Sequence, residues 1–122
     1  MKIFYNLYFV YKINVFVPNK RIYFNFLWNS GVSTTHWNRQ SIEDKISLAK
    51  SQSWERFGGN YGGTESKLLY DTILAGNVTV KNKNVLVIGS IQPWVESIFL
   101  ALGANHTVTL EYNKIISDHP QV

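Results

Sequence analysis

The sequence predicts an α/β fold: a doubly wound parallel sheet, of which only the first strand–helix–strand unit is clearly present. Three observations within residues 84–112 carry that prediction. Val85-Leu86-Val87-Ile88 is an unbroken apolar run, as in a parallel strand covered on both faces. Gly89 follows at once, where a strand must turn sharply into a helix and a residue without Cβ lets the backbone bend. His106-Thr107-Val108-Thr109-Leu110 alternates and is rich in β-branched residues, the pattern of a second strand.

The upstream elements are read in chain order. Ser41, with Asp44 three positions on, is a helix N-cap, and Ile42, Ile46 and Ala49 then fall on one face. Trp54-Glu55-Arg56-Phe57 leads into a turn region, Gly58-Gly59-Asn60-Tyr61-Gly62-Gly63, whose glycines supply hinge freedom. This is not a phosphate-binding Walker loop, because the Gly-Lys-Ser/Thr ending is missing. Thr64 is placed to cap a helix running through Leu68, Leu69, Ile73 and Leu74 to Gly76. A functional alternative makes the glycine segment a lid, with Tyr61 or Trp54 stacking on a base. Val78-Thr79-Val80 is an extended lead-in, and Lys81 to Asn84 a polar turn.

Within the main unit, Pro93 is suited to open the helix, since its missing N–H would be unpaired there anyway. Trp94, Val95, Ile98, Phe99 and Leu102 make its packing face. Glu96 sits near the N-terminal end, where the helix dipole favours a carboxylate. Gly103 is the stop.

Glu111 ends the second strand, 22 positions after Gly89. In dinucleotide-binding folds an acid about 20 positions past the glycine turn accepts hydrogen bonds from ribose hydroxyls. A carboxylate suits the task because it offers only acceptors. The competing reading is an exposed strand-end acid with no ligand. A pyrophosphate cofactor needs glycine at three places in the loop, and Gly89-Ser90-Ile91-Gln92-Pro93-Trp94 has only the first. NAD and FAD are therefore disfavoured. S-adenosylmethionine keeps the adenosine but has no phosphate, so it tolerates the bulkier loop.

VLVIGSIQPWVE, followed by LGANHTVTLEYNKIISDHP, resembles a domain-of-unknown-function family common in nematodes, and the likeness extends upstream to cover roughly residues 50–122. That family looks like a branch of the S-adenosylmethionine-dependent methyltransferases, which implies a partial Rossmann-like fold and a methyl-transfer activity with an unknown acceptor. The resemblance assigns Gly89 and Ser90 to the cofactor loop and Glu111 to the ribose. It also marks departures: Val87 stands where such enzymes usually carry an acid, and Ile91 and Pro93 replace the second and third loop glycines. The family's later strands are absent, so the chain is expected to be a truncated domain and inactive alone. The alternative is a non-catalytic remnant or binding module of the same fold.

Residues 1–40 differ in kind. Residues 1–27 hold five of the seven Phe and four of the seven Tyr, and the first acid in the chain is Glu43. The net charge of +4 is thus a property of this extension, while residues 41–122 form the domain. Nucleic acid is not an expected partner, because no recognisable binding motif accompanies the basic and aromatic residues. Ile3 to Val17 is short of the roughly 20 residues a membrane span needs and is interrupted by Asn6, Lys12 and Asn14. A poorly specified hydrophobic extension is the preferred reading over a signal or anchor. Cysteine is absent, which excludes disulfides and fits the cytoplasm. His36, His106 and His119 show no metal-ligand spacing, so no metal is expected and each reads as an ordinary polar histidine. The sequons at Asn77 and Asn105 read as chance occurrences.

Overall fold

The computed structural model describes residues 34–58, 63–111 and 113–122. The N-terminal extension up to residue 33 and the suggested stacking role of Tyr61 lie outside the described residues. The described chain is mixed α/β, with four helices and two small parallel sheets. In order it runs β1 (Thr34–Trp37), α1 (Arg39–Lys50), α2 (Trp54–Phe57), α3 (Thr64–Ala75), β2 (Asn84–Ile88), α4 (Trp94–Ala101), β3 (His106–Leu110) and β4 (Lys114–Ser117).

β2 and β3 pair in parallel with Asn84 opposite His106 and Ile88 opposite Leu110, and α4 makes the crossover between them. β1 pairs in parallel with β4, from Thr34 opposite Lys114 to Trp37 opposite Ser117. The folded body therefore reaches back to Thr34, ahead of residue 41 where the domain was expected to begin. Trp37 is part of the core, only 3% exposed.

That core lies where α1 crosses α4. α1 contributes Ile42, Ile46 and Ala49, the face its spacing predicted, and α4 contributes Val95, Ile98 and Phe99. α4 is apolar at six of its eight positions and is buried almost all round, as such a helix must be. Fully burying side chains such as Ile98 and Phe99 is worth about 1.5–3 kcal/mol each. Lys45 fastens α1 to α2, donating to the Phe57 carbonyl at 3.1 Å with its ammonium over the Phe57 ring. Partial burial lowers the Lys45 pKa.

Several boundaries fall differently from the sequence reading. α1 is capped by Asn38, whose Oδ1 accepts from the amides of Gln40 at 2.8 Å and Ser41 at 3.3 Å. Ser41 is thus inside the helix, because Asn38 offers the earlier cap. Gly63, not Thr64, precedes α3, and Leu68 and Leu74 of that helix face outward. Val78 to Val80 makes no strand, although Val80 is buried. The greatest difference concerns β2. Val85 and Val87 are buried while Ile88 is 44% exposed, so the strand alternates and is covered on one face only. Ile88, Val108 and Leu110 lie on the uncovered side.

Three helices end by the same device, a residue in the left-handed region followed by a bond back to the last turn. Gly103 does this for α4, with Ala104 N–H donating to the Phe99 carbonyl at 3.0 Å. Asn77, one past the expected Gly76, does it for α3. Gln52 does it for α1 at φ +53°. A non-glycine residue there costs roughly 1–2 kcal/mol. Gln52→Gly is accordingly expected to raise stability by about 0.5–1 kcal/mol, after allowance for the greater freedom of glycine in the unfolded chain. A urea midpoint lower than wild type would contradict this.

Candidate functional site

The register of β2 and β3 decides where the predicted residues go. Ile88 is opposite Leu110, so Gly89 and Glu111, the next residue on each strand, leave the sheet side by side at its C-terminal edge. The Gly89 N–H donates to the Leu110 carbonyl at 2.9 Å and ties the two exits together. Carboxyl ends of parallel strands are where ligands bind in open α/β sheets. Gly89 has φ +76°, and a Cβ built on it would meet nothing within 4 Å. Backbone conformation, not crowding, is what asks for glycine there.

Ser90 does not face the same way. It is 3% exposed, and its hydroxyl is turned inward to the Gln92 carbonyl at 2.7 Å and Glu96 Oε2 at 3.1 Å. It can shape the loop from beneath, but its hydroxyl is already engaged within the protein. Ile91 projects outward, 68% exposed, and its carbonyl accepts from Trp37 Nε1 at 3.0 Å. β1 is thereby tied to the loop that follows β2.

Glu96 stands in the first turn of α4, where the dipole argument placed it, and is in addition completely buried, which that argument did not announce. Oε1 accepts from Thr109 Oγ1 at 2.6 Å and Oε2 lies beside Ser90. Burial pushes its pKa up, against the hydrogen bonds from Thr109, its own backbone amide and Ser90. A signal was present: α4 is apolar nearly all round, so a residue flanked by Val95, Phe99 and Leu100 has little chance of reaching water.

A second polar group is buried near the end of the described chain. His119 is 3% exposed, its Nδ1 accepting from the Gln121 amide at 3.1 Å. The ring proton is then on Nε2, which donates to Glu43 at 3.2 Å. Both ring nitrogens are used in joining the segment after β4 to α1. The same segment is bound to β3, where Thr107 N–H donates to the Gln121 carbonyl at 2.8 Å. His106 opens β3, and partial burial followed by the nearby His119 lowers its pKa.

Elsewhere, an open depression of about 570 Å³ is lined by Asp44, Ser47 and Leu48 of α1, Ser51 just after it, and Arg56 of α2. Gly89, Ser90 and Glu111 take no part in it. Among the described residues, no three His, Asp or Glu side chains gather as a metal ion would require. Among them too, no helix is long and apolar enough to cross a membrane. Comparison with known protein families, curated proteins and solved structures finds no match to this chain.

Proposed function

We propose that β2, α4 and β3 form a Rossmann-like, methyltransferase-type element that binds S-adenosylmethionine, with Glu111 accepting from the ribose hydroxyls. The observation that carries this reading is the adjacency of Gly89 and Glu111 at the C-terminal edge of a parallel strand pair. Ser90 supports the loop from the interior. Methyl transfer depends mainly on aligning the acceptor with the methyl carbon, so a partner surface beyond this element would supply the acceptor's position.

One set of observations favours a non-catalytic version of the same fold. Val87 is buried at 1% exposure where a methyltransferase would carry an acid, and Ile91 and Pro93 stand in place of glycines. The element would then bind without a working reaction centre.

Calorimetric titration with S-adenosylmethionine tests the binding step. Glu111→Ala is expected to weaken binding about tenfold or more, since a hydrogen bond to a charged group contributes roughly 1.5–3 kcal/mol. No heat of binding to a folded wild-type sample would end the cofactor reading. Equal affinity in both proteins would remove the role given to Glu111.

A further inference from the structure

Beneath the edge that carries Gly89 lies a short chain of hydrogen bonds in which two oxygens compete for the one proton of Ser90. The Ser90 hydroxyl has one proton and two oxygens within reach, the Gln92 carbonyl at 2.7 Å and Glu96 Oε2 at 3.1 Å. It cannot donate to both. The Thr109 hydroxyl serves Glu96 Oε1 at 2.6 Å. With an ionised Glu96, either the Gln92 carbonyl loses the Ser90 proton or Oε2 faces a hydroxyl oxygen with no proton between them. With a proton on Oε2 each side-chain bond of the chain has one donor and one acceptor, and the carboxyl still accepts from the Glu96 amide. Thr109 donates to Oε1, Oε2–H donates to Ser90 Oγ, and Ser90 donates to the Gln92 carbonyl. The shorter of the two Ser90 distances is the one this arrangement requires.

We propose that Glu96 is held as a neutral carboxylic acid and clips the Gly89–Pro93 loop to β3, so that loss of its proton releases the loop. The clip is a pH-sensitive switch set directly under the strand-end edge. It rests on interior hydrogen bonds alone and stands whether or not a nucleotide binds.

Opposing effects act on the proton. Hydrogen bonds donated to the carboxyl by Thr109, its own backbone amide and Ser90 favour the ionised form, and the dipole of α4 adds less than one pKa unit in the same direction. Complete burial acts the other way and can move a carboxyl by several units. Burial leads the causes of the upward shift at Glu96, and no neighbouring charge contributes to it. The elements packed on α4 explain why. α1 turns Ile42, Ile46 and Ala49 inward. Its exposed charges are Arg39, Asp44 and Lys50, while Glu43 bonds to His119 and Lys45 to Phe57. β2 has no titratable side chain. β3 has only His106, on the strand face opposite Thr107 and Thr109 by alternation, with Glu111 following the strand. On α3, Lys67 pairs with Asp71 in solvent, Tyr70 packs at a tilt against Trp54, and Glu65 sits in the first turn.

The direction of the pH effect follows from linkage. A carboxyl whose folded pKa is raised contributes stability that is fully present below its unfolded pKa. That stability is lost as pH rises through the folded value. Above that value the opening constant of the clip should rise about tenfold per pH unit.

The test uses the full chain without any ligand. Melting temperature is measured from acid to alkaline pH for wild type and Glu96→Gln, whose amide keeps the donor and the shape but has no proton to lose. Amide exchange at Ser90 to Gln92, corrected for base catalysis, is followed alongside. Wild type is expected to lose melting temperature and loop protection as pH rises, and Glu96→Gln to lack that component and melt higher at the alkaline end. Superimposable pH profiles would overturn the proposal. Should Glu96→Gln fail to fold, infrared spectroscopy of wild type at neutral pH decides. A protonated carboxyl stretch supports the clip, and its absence refutes it. None of these readouts depends on S-adenosylmethionine, so failure of the cofactor reading leaves them intact.

Discussion

Gly63→Ala is expected to destabilise the protein by roughly 3 kcal/mol or more, because two costs fall on one atom. Gly63 has φ +88°, a conformation that costs an L-residue roughly 1–2 kcal/mol. A Cβ there would also stand 2.0 Å from the Trp54 carbonyl oxygen, which belongs to backbone and cannot rotate away. α2 and α3 would have to separate, disturbing the contact of Trp54 with Tyr70. Gly58→Ala is the control. It shares the positive φ, at +75°, but its Cβ would meet nothing within 4 Å, so only the conformational cost applies. Chemical denaturation of both variants checks the ordering, and equal losses would show that close packing at Gly63 is not what matters.

The second large effect is expected at Phe99. It is 2% exposed and belongs to the core cluster that also holds Ile42, Ile46 and Ala49 of α1. Phe99→Ala should cost about 3–5 kcal/mol through lost burial and the cavity left behind. Total stabilities of domains lie near 5–15 kcal/mol, so the variant should lose a large share of the total and unfold at much lower urea than wild type. Circular dichroism with urea titration measures this. A loss below 1 kcal/mol would mean that α4 is not packed as described.

Much of the architecture was legible because it depends on local pattern. Ile42, Ile46 and Ala49 recur at helical spacing and are buried, and Gly103 stops α4 where its sequence says it should. β2 and β3 were readable from composition, and Gly89 with Glu111 from their spacing. What was not legible depends on partners distant in the chain. The apolar run of β2 reads the same whether one or two faces are covered, and Ile88 shows that one is not. Glu96 could be placed at the N-terminal end of its helix, but its burial against Thr109 and Ser90 follows only from the fold. His119 is an unremarkable histidine in sequence, and only the fold brings Glu43 to it from 76 positions away. Glycine in a flexible-looking run also misleads, since Gly63 is needed for the close approach of Trp54 as well as for its backbone angle.

The pairing of β1 with β4 has a consequence for the order in which the chain acquires its structure. Thr34 and Lys114 are 80 positions apart, whereas Asn84 and His106 are separated by 22. Closing the longer loop costs only about 1 kcal/mol more in chain entropy. Contacts of such high sequence separation nevertheless form late. Trp37 reaches the Ile91 carbonyl only when β1 docks. The loop after Gly89 would thus take its final geometry in the last step of folding, and a slow phase seen by Trp37 fluorescence should report the same event that completes the strand-end edge.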